Sequence, residues 1–229
     1  NSGLFKNLTS WLFKWPSSSQ TSGSSPSLQN STSISKVIPL MFDSTLFDVL
    51  FIFKRGPCYG FSRVRQFTFG KDHCISSLNA FIPALAVAHE CRFVQWKTFL
   101  IAVETTANKK LRYINLMKLD AEWMEFSIPL HTILSSIDNL TILCHNKIPD
   151  SQRALLLLES IENEAPMVLI EIEIFNEFEL QFKELKEFKS GVNLPIKFGY
   201  FEGDKFLLGS NKSIFKFSLT TGKFTSIFS

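Results

Sequence analysis

Apolar residues along this chain come in short bouts separated by polar turns, and from residue 45 onward the bouts run strand, turn, strand, turn, strand. The order recurs about every 40 to 60 residues, the spacing of a repeat architecture. Its clearest copy has a strand at 98–103 (TFLIAV), a polar turn at 105–110, a strand at 111–119 (LRYINLMKL), a tight turn at Asp120 and Ala121, and a strand at 122–128 (EWMEFSI). Phe93 to Trp96 adds an inner strand, and Trp123 stands where an outer strand can lay its ring over the sheet.

The other bouts follow the same plan. A first unit over 36–78 has a nearly continuous apolar strand at 46–54 (LFDVLFIFK), a turn at Gly56 and Pro57, and an alternating strand at 61–70. Burial on both faces accounts for the continuous run. A third unit over 130–188 holds strands at 140–145, 154–159 and 167–174, where Val168, Ile170, Ile172 and Ile174 alternate with Glu171 and Glu173. Residues 178–188 (FELQFKELKEF) fit either a strand or a short helix within 177–189. A fourth over 194–228 has strands at 205–208, 213–218 and 223–228, with Thr221 and Gly222 as a turn. The expected fold is all-β and almost entirely antiparallel, a partial β-propeller of about four blades over 36–229.

The first 35 residues differ. Residues 1–16 predict a short amphipathic helix with Leu4, Phe5, Leu8, Trp11, Leu12 and Trp15 on one face and Lys6, Asn7, Ser10 and Lys14 mainly on the other, stopped by Pro16. That stripe is the candidate contact, packing on the neighbouring sheet or a partner, or lying in a membrane interface. Residues 17–35 are rich in Ser, Thr, Gln and Asn and read as a flexible linker, either solubilising or a phosphorylation site. The chain starts at Asn1 and stops at Ser229 directly after FTSIF, the expectation for a fragment of a longer protein with any further blades outside it.

Composition narrows the chemistry. Twenty-four Lys and Arg against 21 Asp and Glu leave a net charge of +3, without the clustered cations of a nucleic-acid surface. The densest cationic stretch, Lys54, Arg55, Arg63, Arg65 and Lys71, alternates with Val64 and Gln66 like the solvated face of a strand. No run of 18 apolar residues occurs, and the N-terminus lacks a secretory h-region. Cys58, Cys74, Cys91 and Cys144 have none of the short gaps of a zinc knuckle, so buried free thiols are expected. His73, His89 and His145 lie beside or near cysteines, but adjacent residues of a strand point to opposite faces and cannot share one ion. Sequons at Asn7, Asn30, Asn139 and Asn211 would matter in a secreted protein, whereas unpaired thiols fit a reducing compartment. Neither glycine-rich nucleotide motifs nor a G-x-S-x-G elbow occurs. The carboxylates Asp43, Asp48, Glu171 and Glu173 have the pairing of acid and base groups or of solvent-facing rows, and Asp120 and Asp138 suit turns.

The run from Ser33, SISKVIPL, then LFDVLFIFKRG, then FSRVRQFTFGKDHCI, resembles late propeller blades of the scaffold nucleoporins of the Y-shaped nuclear pore complex, nearest to the 160-kDa class. Arg63 to Phe67 stands where that class has Leu-Arg before a Trp, and Phe67 or Phe69 replaces the Trp. The order FLIAVE, LRYINLMKLD, SIDNLTILCHN continues the resemblance to about residue 149, over about half the chain. It implies a structural pore subunit at the nuclear envelope, supporting nucleocytoplasmic transport.

The expected function is therefore a non-enzymatic propeller scaffold, intracellular, without cofactor or metal. It binds protein partners in a larger assembly and makes no direct nucleic-acid contact, with Phe5, Trp11, Trp15, Trp96 and Trp123 as anchors or core. The alternatives are a peripheral membrane or vesicle-coat propeller, in which the helix touches lipid, and a propeller enzyme with its site in the central channel.

Overall fold

The computed structural model describes residues 32–43, 46–69, 72–77, 82–87, 90–105, 110–118, 120–126, 136–145, 148, 151–160, 166–177, 179–189 and 195–228. The predicted helix at 1–16, with its six stripe residues, and the linker up to residue 31 lie outside them.

Every regular element among the described residues is a strand, and the strands form four consecutive meanders. The first comprises β1 (Ser33–Asp43), β2 (Leu46–Arg55), β3 (Cys58–Phe69) and β4 (Asp72–Ser77), with the short β5 (Leu85–Ala86) also on β3. The second is β6 (Cys91–Trp96), β7 (Phe99–Glu104), β8 (Leu111–Asn115) and β9 (Met124–Phe126). The third runs β10 (Asn139–His145), β11 (Arg153–Glu159), β12 (Pro166–Asn176) and β13 (Glu179–Lys189), and the fourth β14 (Phe198–Glu202), β15 (Lys205–Gly209), β16 (Ile214–Ser218) and β17 (Lys223–Phe228).

The sheets stack face to face, and the core lies between them in three layers. Ile38, Leu40, Leu50, Ile52 and Tyr59 of the first sheet meet Cys91, Phe93, Leu100, Ala102 and Ile114 of the second. Phe99, Ile101, Val103, Leu111 and Tyr113 on the other face of the second meet Ala154, Leu156, Leu158, Val168, Ile170 and Ile172 of the third. Leu143, Leu157, Met167 and Leu169 then meet Phe206, Leu208, Phe215 and Phe217 of the fourth. This explains the uninterrupted apolar runs: β7 is buried at all six positions because its alternate residues enter different layers. Each fully buried Leu or Phe contributes about 1.5–3 kcal/mol, so the inner sheets are the most firmly held.

The first strands of successive meanders are neighbours: β6 lies against β1 and β10, and β10 pairs with β14. That last pair is parallel, Leu143↔Gly199 to His145↔Phe201, and fuses the third and fourth meanders into one eight-stranded sheet. It is the exception to the expected antiparallel pairing.

Several sequence expectations need correction. Arg63 does not face solvent: it is buried against Asp48, its Nη1 reaching the Leu116 carbonyl of the second sheet at 3.2 Å, so Asp48 is an ion-pair partner. Strand β1 begins at Ser33, inside the predicted linker; a register shift between Ile34 and Lys36 breaks its apolar alternation and hides it in the sequence. The strand expected over 111–119 ends at Asn115, whose Oδ1 accepts the Met117 N–H at 2.8 Å and turns the chain. Of the two alternatives left open for this stretch, the strand is formed over 179–189, because β12 supplies backbone partners from Asn176↔Glu179 to Pro166↔Lys189. Strand β2 has a sheet partner on one face only; on the other, Phe53 is buried and Val49 and Phe51 are half-buried. Cys144 is exposed, whereas Cys91 is buried and Cys58 half-buried.

Polar contacts tie the layers. Lys36 donates to the Phe93 carbonyl, Cys91 N–H donates to the Tyr59 hydroxyl at 3.1 Å, and Trp123 Nε1 donates to the Pro83 carbonyl at 2.9 Å. Asn115 Nδ2 donates to the Glu177 carbonyl at 2.8 Å, joining the second sheet to the β12–β13 turn.

Candidate docking surface on the fourth sheet

The fourth sheet alternates, apart from a register shift between Ile214 and Phe215. Phe206, Leu208, Phe215 and Phe217 point into the core layer, which leaves Phe198, Tyr200, Leu207, Lys205, Lys216, Lys223, Thr225 and Ile227 on the outer face. Register lines the outer residues into rows: Tyr200, Leu207, Lys216 and Thr225 are successive partners across all four strands, as are Glu202, Lys205, Ser218 and Lys223. Phe198 and Tyr200 are each 46% exposed, Leu207 39% and Ile227 37%. Large apolar groups normally avoid this much water when they are contiguous. A shallow depression of about 590 Å3 lies between Tyr200, Leu207, Lys216 and Lys223.

Local chemistry holds the face in shape. The Phe198 ring lies over Gly209, its register partner, where any Cβ would collide with the ring. At the β14–β15 turn, Asp204 Oδ2 accepts from Thr220 Oγ1 at 2.9 Å and Ser218 Oγ at 3.0 Å, and these bonds hold its carboxyl below the usual aspartate range. The segment leading into β14 is pinned at Ile196 by a polar cluster. Thr141 Oγ1 and Asn139 Nδ2 donate to the Ile196 carbonyl at 2.7 and 2.6 Å, while Ile196 N–H and Asn139 Nδ2 donate to Glu159 Oε2 at 3.0 and 2.5 Å. Burial pushes the Glu159 carboxyl up, against the opposing pull of those hydrogen bonds. The Asn139 side-chain nitrogen is engaged inside this cluster, so this sequon is not presented to solvent, whereas Asn211 is exposed.

A second cavity of about 320 Å3 lies between the third and fourth sheets and is lined by His145, Arg153, Glu171, Phe201 and Phe206. Its polar groups are already committed. Arg153 is ion-paired with Glu171, and His145 meets the Phe201 ring edge-on at 5.2 Å. Glu173 pairs with Lys183, so Glu171 and Glu173 are separate ion-pair partners on a half-exposed face and do not form an acid and base dyad. Among the described residues no three His, Cys, Asp or Glu side chains gather as metal ligands. No helix of the described residues is long and apolar enough to cross a membrane.

Of the predicted anchors, Trp96 is in the core and Trp123 caps the first layer through Phe61 at 5.4 Å. Leu4, Phe5, Leu8, Trp11, Leu12 and Trp15 are outside the described residues. Asp120 adopts φ 55°, the left-handed conformation its turn requires, and Asp138 accepts from Ser136 Oγ at 2.9 Å beside β10. Sequence reasoning missed β14, and with it Phe198 and Tyr200. The available signal was the two-residue Gly203-Asp204 turn between the apolar runs FGYF and KFLL. No protein-family model and no curated protein matches the chain.

Proposed function

We propose that the four meanders are successive blades of a β-propeller and that the chain is a non-enzymatic scaffold module, docking a protein partner on the outer face of the fourth sheet. Four meanders stacked face to face with their first strands side by side, the last two joined through β10 and β14, support the propeller reading. The observation that carries the function is the exposed row Tyr200, Leu207, Lys216, flanked by Lys205 and Lys223. An apolar centre with aromatic anchors and a cationic rim suits a protein surface with an apolar centre and an acidic border. The narrower form of the reading, from the resemblance of residues 33 to about 149 to nucleoporin blades, is a structural component of the nuclear pore.

Zero-length carboxyl-to-amine cross-linking in intact cells tests this. Lys205, Lys216 and Lys223 are expected to join to acidic residues of a partner subunit, and Leu207→Glu is expected to abolish those links while the sheet content is unchanged. Cross-links confined to other surfaces, or undiminished by Leu207→Glu, overturn the docking surface. Absence of the protein from the nuclear rim overturns the pore assignment alone.

A further inference from the structure

We propose that residues 4–15 of this chain dock in cis on the outer face of the first sheet, over Ile34, Val37 and Phe51. That face is the counterpart of the docking surface at the opposite end of the stack, but its chemistry differs. Ile34 is 55% and Val37 48% exposed, Pro39 is exposed, and Val49 and Phe51 are half-buried. Register brings Val37, Phe51 and Ser62 into one row and Pro39 and Val49 into the next. Lys36 is turned to the Phe93 carbonyl and Asp48 to Arg63, which leaves Arg55 at the hairpin end as the charged outward position of β2.

The first fifteen residues match this surface in three respects. Their stripe of Leu4, Phe5, Leu8, Trp11, Leu12 and Trp15 is apolar, whereas Lys6 and Lys14 are their charged side chains and no carboxylate is present. The fourth sheet presents Lys205, Lys216 and Lys223 against the single carboxylate of Glu202, and so repels such a segment more than β2 does with Arg55. The point of attachment favours it too. Seventeen residues, 16–32, separate Trp15 from Ser33, where β1 begins beside Ile34. A polar linker of that length has a root-mean-square span of roughly 20–25 Å. A helix of twelve residues adds about 18 Å. The fourth sheet stands about three sheet spacings, roughly 30 Å, further off, within that reach, so the tether favours the first sheet through the higher effective concentration at the nearer face.

Limited trypsin digestion of the full chain, followed by mass spectrometry, reads the docking through cleavage after Lys6 and Lys14. Cleavage at both sites is expected to be about tenfold slower in the wild type than in Ile34→Glu/Val37→Glu, independent of protein concentration, with the circular dichroism of the two proteins alike. Trp11→Ser/Trp15→Ser is expected to lose the protection equally, and Leu207→Glu on the fourth sheet to retain it. Equal cleavage of wild type and Ile34→Glu/Val37→Glu overturns the proposal. Protection lost on dilution identifies docking between copies, and protection appearing only with anionic phospholipid vesicles identifies a lipid surface; either overturns it as well. The outcome is separable from the partner cross-links, which read the opposite end of the stack.

Discussion

Arg63 places both Nε and Nη2 on a single carboxylate oxygen of Asp48, at 2.8 and 2.5 Å, with 6% and 2% of the two side chains exposed. The pair belongs to β2 and β3 of one sheet, yet the same guanidinium bonds a carbonyl of the next. It is therefore a joint between two layers. Removing one member strands the other charge in an apolar layer, which typically costs about 3–5 kcal/mol. Arg63→Met is expected to lower the unfolding free energy from urea titration by that much, and Asp48→Leu/Arg63→Met to recover most of it. Equal losses in the single and double variants would refute the joint.

Glu159 gives a pH dependence with a definite sign. Burial raises its folded-state pKa above the ordinary 4.5, so folding favours the protonated form. The group costs nothing below the unfolded-state value, costs progressively more as pH rises through the folded-state value, and is constant above it. Glu159→Gln keeps an oxygen to accept from Asn139 and Ile196 and removes the charge. Between pH 4 and 8, thermal melting of this variant is expected to gain on the wild type as pH rises; parallel curves would contradict it.

The cysteines are predicted to separate by reactivity. Burial pushes the Cys91 thiol up to about 12; it raises the Cys144 thiol too, but that side chain is exposed on β10. A shift from the ordinary value to 12 lowers the thiolate fraction near neutral pH by roughly a thousandfold. Iodoacetamide with peptide mapping should find Cys144 modified in the native protein and Cys91 modified only on unfolding. Comparable rates would show that the first core layer opens readily.

Gly209 permits Phe198 to lie flat across the fourth sheet. Gly209→Ala inserts a methyl beneath the ring, and overpacking of this kind costs about 1–3 kcal/mol. The melting temperature should fall and partner cross-linking at Lys216 should weaken. An unchanged melting temperature would mean that the ring swings away without cost.

Strands whose faces enter two layers announced themselves, since FLIAV and ALLLLE are too apolar for anything but burial on both sides. The Thr221-Gly222 turn, the alternation of Val168 to Ile174 and the strand alternative for 178–188 were legible for the same reason: each is a local pattern. Arg63 was not, because its partner is 15 residues away and its second acceptor 53 away, and alternation alone cannot tell a solvated cation from a paired one. The docking face was illegible as a unit, since its rows join residues from four strands and one of those strands went unrecognised.

The layered core makes stability a matter of nearest neighbours. An end sheet is coupled through one layer and an inner sheet through two, so cooperative unfolding should begin at an end and propagate, as in a one-dimensional array. The two ends are not equivalent. The parallel β10–β14 ladder joins the last two meanders, and among the described residues no such ladder joins the other layers. Under load or heat, fraying should therefore enter from the first sheet, and amide exchange should slow in order from β1 and β2 toward β11 and β12.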